Sequence, residues 1–245
     1  MALIISTSRI NAGIFFIVSI LSSQALAIPL PKKGEFSKRG FTLPADFNSN
    51  YNFEGIVSLS NCSGSLVKFE NSYDHEFALV LTNGHCIKGS TGGFLRPGEV
   101  VYNRSETRSF GLFNKDIQKV GTLVSSHVAY ATMTKTDMAI YRLNQTYGEI
   151  RSQYGIEALT ISSVQSDAAV GMEVLSGYWK KGYSCRVDGF VDTLKEADWT
   201  WNDSIRYSKP GCETIGGTSG SPIVQAGTRT VIGVDRKSTR LNSSH

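Results

Sequence analysis

After its first 27 residues, the 245-residue sequence has no apolar run long enough to cross a bilayer, which takes about 20 residues of helix. It has no repeat of fixed period and no heptad pattern, so solenoids and coiled coils are excluded. It has no large excess of one charge: 25 Lys and Arg stand against 21 Asp and Glu, a net of +4. Part of that excess lies at the two ends, in Arg9 and in Arg236, Lys237 and Arg240, so the body of the chain is close to neutral. No basic stripe remains to track nucleic acid or an anionic membrane. Cysteine is scarce, with four residues (Cys62, Cys86, Cys185 and Cys212) and no CxxC pair among them. That argues against a zinc site, and no metal or other cofactor is expected.

Both ends differ from the body. Arg9, the apolar run Ala12–Leu21 and the small-x-small triplet Ala25-Leu26-Ala27 have the order of an export signal, so residues 1–27 are read as a cleaved signal peptide. Residues 28–44 are rich in Pro, Lys and Gly and read as a linker or short pro-segment. The run 235–245, DRKSTRLNSSH, has neither apolar period nor turn logic and resembles the translation of a sequencing adapter. The expectation is that the natural sequence is interrupted after Val234. In an exported chain, an even number of cysteines argues for two disulfides, with three possible connectivities.

What the body does contain is glycine, 24 residues, between short apolar runs rich in β-branched residues. Examples are 55–60, 64–69, 77–82, 138–143, 172–178, 186–191, 204–207, 221–224 and 230–234. Most are of strand length and bounded by Gly, Asn, Ser or Asp, an all-β pattern of sandwich or barrel type.

Three short segments carry chemistry. In Gly216-Gly217-Thr218-Ser219-Gly220-Ser221-Pro222 a serine sits among glycines. A serine hydroxyl needs a base for its proton and donors for the developing oxyanion. A glycine-flanked loop suits an oxyanion hole made by the N–H groups of Gly217 and Ser219. In Leu81-Thr82-Asn83-Gly84-His85-Cys86 a histidine, the usual base for a serine, follows an apolar strand and adjoins a cysteine that can tether it. In Lys135-Thr136-Asp137-Met138-Ala139-Ile140 a carboxylate opens an alternating strand. A buried acid needs a partner, and a histidine N–H is a natural one.

Taken together, T-x-x-H-C, D-h-A-h (h apolar) and G-x-S-G-x-P in the order His, Asp, Ser resemble the trypsin/chymotrypsin clan of serine endopeptidases. The resemblance spans about residues 50–234, and the Ser-Gly-Ser-Pro ending is nearer to bacterial glutamyl-endopeptidase-like members. It implies two antiparallel Greek-key β-barrels, residues 45–148 and 149–234, the second incomplete at its C-terminal end. It implies His85, Asp137 and Ser219 as a catalytic triad in the cleft between them, acting through an acyl-enzyme on protein or peptide substrates. It also implies a Cys62–Cys86 bridge, which leaves Cys185 for Cys212, and places Glu213 in the primary specificity pocket, where an acid favours Lys or Arg. A secreted monomer with neither nucleic-acid nor membrane partner is expected. The alternative is a catalytically inactive, protease-like binding module.

Two departures from the clan stand out. Thr218 occupies the position of the aspartate that, in animal members, binds the new N-terminal ammonium on activation. Asn83-Gly84 replaces the usual pair of alanines before the histidine, a change expected to be local.

Overall fold

The computed structural model of the chain describes residues 51–207 and 211–236. The expected signal peptide and linker lie outside them, as does the final run from residue 237. Among the described residues no helix is long and apolar enough to cross a membrane.

Seven strands come first: β1 (Ile56–Ser58), β2 (Ser63–Lys68), β3 (Phe77–Thr82), β4 (Val100–Ser105), β5 (Ser109–Phe113), β6 (Lys119–Thr132) and β7 (Met138–Thr146). They pair in the order β1-β5-β6-β7-β3-β2, and β2 pairs back onto β1, so six strands close into a barrel with β4 added on β6. Alternation drives the closure. Along β7, Ala139, Tyr141 and Leu143 are buried while Met138, Ile140 and Arg142 are half-exposed, because successive side chains of a strand face opposite ways. The buried set meets Leu66, Val80 and Phe110 inside the barrel, and the Phe110 ring stands edge-on to Tyr141 at 5.2 Å.

One helix, α1 (Tyr147–Tyr154), follows β7. Glu149 N–H donates to Thr146 Oγ1 at 3.2 Å, and Thr146 N–H donates to the Glu149 carboxylate at 2.7 Å. This capping box satisfies donors that the first helical turn leaves open. Gly155 ends the helix in the left-handed region, at φ 67°. Tyr147 Oη donates to Val67 O at 2.6 Å and ties α1 to β2. Burial pushes the Tyr147 phenol up to about 12.

Six more strands complete the chain: β8 (Leu159–Ile161), β9 (Gly171–Ser176), β10 (Lys181–Glu196), β11 (Trp199–Tyr207), β12 (Pro222–Gln225) and β13 (Thr230–Val234). Their order is β8-β13-β12-β9-β10-β11, and β8 runs parallel to both β13 and β2, joining the two sets. Among the described residues this second set does not close into a ring. The pairing of β12 with β13 extends one step into the run read as a foreign tail: Asp235 N–H donates to Ser221 O at 2.8 Å, and its side chain is buried. The class is the all-β, barrel-forming one read from the sequence. Cys62 is bonded to Cys86 and Cys185 to Cys212, leaving no free cysteine among the described residues.

Candidate active site

His85 lies in a three-residue 3-10 turn, Gly84–Cys86, just past β3. Backbone contact at Gly84 is close: a β-carbon there would fall 2.1 Å from Thr132 O at the end of β6. Only glycine lets the turn seat against that strand. Asp137 immediately precedes β7, and the antiparallel register that sets Thr82 opposite Ala139 brings it beside the turn. The imidazole Nδ1 is 2.7 Å from Asp137 Oδ2, and His85 N–H donates to Oδ1 at 3.0 Å. An ionised carboxylate only accepts, so the ring hydrogen is on Nδ1 and the lone pair is left on Nε2.

Further groups hold the carboxylate. Asn83 Nδ2 donates to the main-chain carbonyl of Asp137 at 2.8 Å. Arg236 Nε donates to Oδ2 at 2.9 Å, while its Nη1 reaches Glu196 at 2.6 Å and its guanidinium lies over Trp201 at 3.8 Å. Burial pushes the Asp137 carboxyl up, but the hydrogen bonds and charge of His85, joined by Arg236, outweigh it and hold the group below its ordinary 3.8.

Ser219 is buried in a turn held by its own backbone. Ser221 N–H donates to Thr218 O at 2.9 Å, and Thr218 donates to Ile215 O through both N–H (3.1 Å) and Oγ1 (2.7 Å). Gly217 and Gly220 have φ of 94° and 85°, and a β-carbon on Gly220 would meet Ser63 O at 2.1 Å. The Ser219 carbonyl accepts from Ser63 N–H at 2.8 Å. The serine loop is thus fixed to the residue next to Cys62, whose bridge to Cys86 tethers the histidine turn.

Residues 62–234 match the family model described as the trypsin-like peptidase domain. The chain belongs to the trypsin-like peptidase family. It is a serine endopeptidase, a hydrolase of protein and peptide substrates. Among solved structures, this trypsin-like peptidase is similar to the MamO protease domain from Magnetospirillum magneticum. The two are 11% identical with a TM-score of 0.50, over 77% of this chain and 87% of that one. It is also similar to a Glu endopeptidase (15% identical, TM-score 0.46, 79% of this chain and 82% of that one). A third likeness is to a chymotrypsin from Cellulomonas bogoriensis (14%, 0.42, 75% and 80%). The likeness is one of fold. No curated protein sequence matches the chain.

The remaining site residues are placed unequally in this peptidase. Glu213, read as a wall of the specificity pocket, is exposed and lines neither the cavity beside His85 nor the one behind Asp137. Its neighbour Thr214 is buried, with Oγ1 3.3 Å from Tyr207 Oη. One cavity, about 720 Å³, opens beside His85 and is lined by Asn61, Lys88, Phe94, Glu106 and Arg108. The other, about 530 Å³, lies behind Asp137 among Phe190, Trp201, Ile205 and Val234. Cys62, His85 and Cys86 bring three potential metal-binding atoms within 4.8 Å. Both sulfurs are spent in the disulfide, so no thiolate is available to a metal. Asn83, where only a local change was expected, holds the Asp137 backbone, and Arg236, Ser63 and Trp179 make site contacts that nothing in their neighbouring sequence signals.

Proposed function

We propose that this peptidase is secreted and works through Ser219 as nucleophile, His85 as general base and acid, and Asp137 as the carboxylate that orients the imidazole. The observation that carries this reading is the double grip of Asp137 on the ring nitrogen and backbone nitrogen of one residue, His85. That grip sets both the tautomer and the direction of Nε2.

The chemistry follows from those groups. Ser219 Oγ bonds to the scissile carbonyl carbon as its proton passes to His85 Nε2. The carbonyl electron pair moves onto oxygen, where the N–H groups of Gly217 and Ser219 receive it. As the tetrahedral adduct collapses, the C–N bond breaks and the leaving amine takes the proton from His85. Water then repeats the sequence on the acyl-enzyme, releasing the acid and restoring the serine hydroxyl. Asp137 stays ionised throughout and stabilises the imidazolium. The cavity beside His85 gives room for a substrate side chain next to the base.

Two disulfides suit an oxidising compartment. With residues 1–27 read as a signal, the disulfides support an enzyme that acts outside the cell, and a monomer is proposed. The domain division proposed with it is residues 45–148 for a first barrel and 149–234 for a second, incomplete one. N-terminal sequencing of protein from the medium tests cleavage after Ala27.

The decisive test of the triad is Ser219→Ala together with a fluorophosphonate probe. Wild type is expected to be labelled at Ser219, and the variant to lose label and about four orders of magnitude in kcat. Cleavage surviving in the variant overturns the assignment. An unlabelled, inactive but folded wild type supports a binding module instead.

A further inference from the structure

Trp179 stands in the turn between β9 and β10 with 48% of its surface exposed. It contributes little to the core, yet its indole Nε1–H donates to Gly216 O at 2.7 Å. That carbonyl and the Gly217 N–H belong to one peptide unit. The unit is planar and trans, so its C=O and N–H point in opposite directions. Holding the oxygen to one side therefore aims the Gly217 N–H to the other.

The next peptide unit is held as well. Ser63 Oγ donates to Gly217 O at 3.1 Å and accepts from Tyr178 N–H at 3.1 Å. Ser176 Oγ completes the group, 3.0 Å from Ser63 Oγ and accepting from Trp179 N–H at 3.2 Å. Gly217 is thus fixed through the carbonyls on both of its sides, one held by Trp179 of the β9–β10 turn and the other by Ser63 of β2, which that turn holds in its place. Its φ of 94° suits glycine alone, and a β-carbon there would lie 2.8 Å from Trp179 Nε1 and from Tyr178 Cδ1. Glycine at 217 leaves its peptide units free to rotate unless something outside the loop stops them.

We propose that Trp179 is a positioning residue for the oxyanion site: its indole N–H holds the Gly216–Gly217 peptide in the orientation that presents the Gly217 N–H to the developing oxyanion. The inference rests on the triad reading above. Oxyanion donors act because they are aimed before the reaction begins, and a half-exposed turn residue is what aims this one.

Trp179→Phe keeps an aromatic ring and removes the donor. The expected result is a kcat about tenfold lower, less than the roughly 10²–10³ cost of losing an oxyanion donor outright. KM should stay within about twofold, since the ground-state carbonyl makes little use of the site. The affinity of a peptide boronate, which mimics the tetrahedral adduct, should fall by the same factor as kcat/KM. Trp179→His, which restores a ring N–H, should recover part of kcat. The thermal midpoint should barely move, because the side chain is half-exposed. Unchanged kcat and boronate affinity in a folded Trp179→Phe enzyme overturn the inference, provided Ser219→Ala is inactive. Activity surviving in Ser219→Ala overturns the triad reading instead. A measurement on the unsubstituted protein covers the case in which the variant does not fold: the Trp179 indole proton should exchange slowly with solvent despite the ring's exposure. Rapid exchange also overturns the inference.

Discussion

Asn83 Nδ2 donates to the main-chain oxygen of Asp137 at 2.8 Å, so the residue two before the histidine holds the backbone of the residue that orients it. The bond is buried and bridges the end of β3 to the start of β7. Asn83→Ala leaves that carbonyl buried without its donor, which costs about 1–3 kcal/mol. A lower urea midpoint is expected, with a kcat/KM about tenfold lower as the carboxylate loosens. Stability and kcat/KM both at the wild-type level would remove Asn83 from the site.

The neighbouring Gly84 gives a sharper contrast. A β-carbon there falls on Thr132 O, whereas one on Gly93 meets nothing within 4 Å. Gly84→Ala is expected to lower stability by about 1–3 kcal/mol through overpacking and to lower kcat with it. Gly93→Ala should leave both near wild type. Melting curves and steady-state kinetics on the pair of variants check this.

The two disulfides close loops of similar length, with sequence separations of 24 and 27. In the chain-entropy model each contributes about 3 kcal/mol. Their removal is therefore expected to cost similar stability but unequal activity. Cys62→Ser with Cys86→Ser frees the turn that carries His85, whereas Cys185→Ser with Cys212→Ser frees none of the three residues proposed as the triad. Measured kcat below the midpoint of unfolding should fall further in the first double variant. Equal losses would mean that the tether does not position the base.

The acid limb of stability follows from Asp137. Its folded pKa is depressed below 3.8, so its contribution is fully present above that value and is lost as pH falls through the folded pKa. The difference in stability between wild type and Asp137→Asn should be constant near neutrality and shrink only below about pH 3.8, as seen in denaturant midpoints. A difference that already shrinks well above that pH would show that the carboxyl is not held down by His85.

Thr218 bonds back to Ile215 through both its nitrogen and its hydroxyl. The turn before Ser219, the proposed nucleophile, is therefore closed by Thr218 without a charged side chain. Adding a few residues ahead of Ile28, the proposed mature N-terminus, is expected to leave kcat within about twofold of wild type, since Thr218 carries no charge for an N-terminal ammonium to pair with. Complete loss on extension, restored by trimming, would refute this.

Much of the candidate site was legible because its signals are local. Each of His85, Asp137 and Ser219 is marked by its own neighbours in the chain: an apolar strand run before the first, an alternating strand run after the second and glycines around the third. β4, β5, β6 and β8 were not among the runs read as strands. In β6, Ser125, Ser126, His127 and Tyr130 interrupt the apolar pattern, since its fourteen residues bend around the barrel and change faces at bulges. The helix start was written as Thr146-x-x-Glu149, yet α1 buries only Tyr147 and Ile150 and so shows almost no apolar period. Glu213 came from the resemblance alone, and its exposure depends on how its loop folds.

The sequence by itself determined which groups could do the chemistry and where the chain had to turn, because reactivity and backbone freedom belong to single residues and their near neighbours. Only the tertiary structure decided what those groups meet. The β3–β7 register sets Asp137 against His85, the closed barrel brings Ser63 under the serine loop, and the β9–β10 turn carries Trp179 to Gly216. Each of these contacts joins residues far apart in the chain. Strand pairing settles them, and it is governed by burial summed over the whole barrel rather than by any one segment.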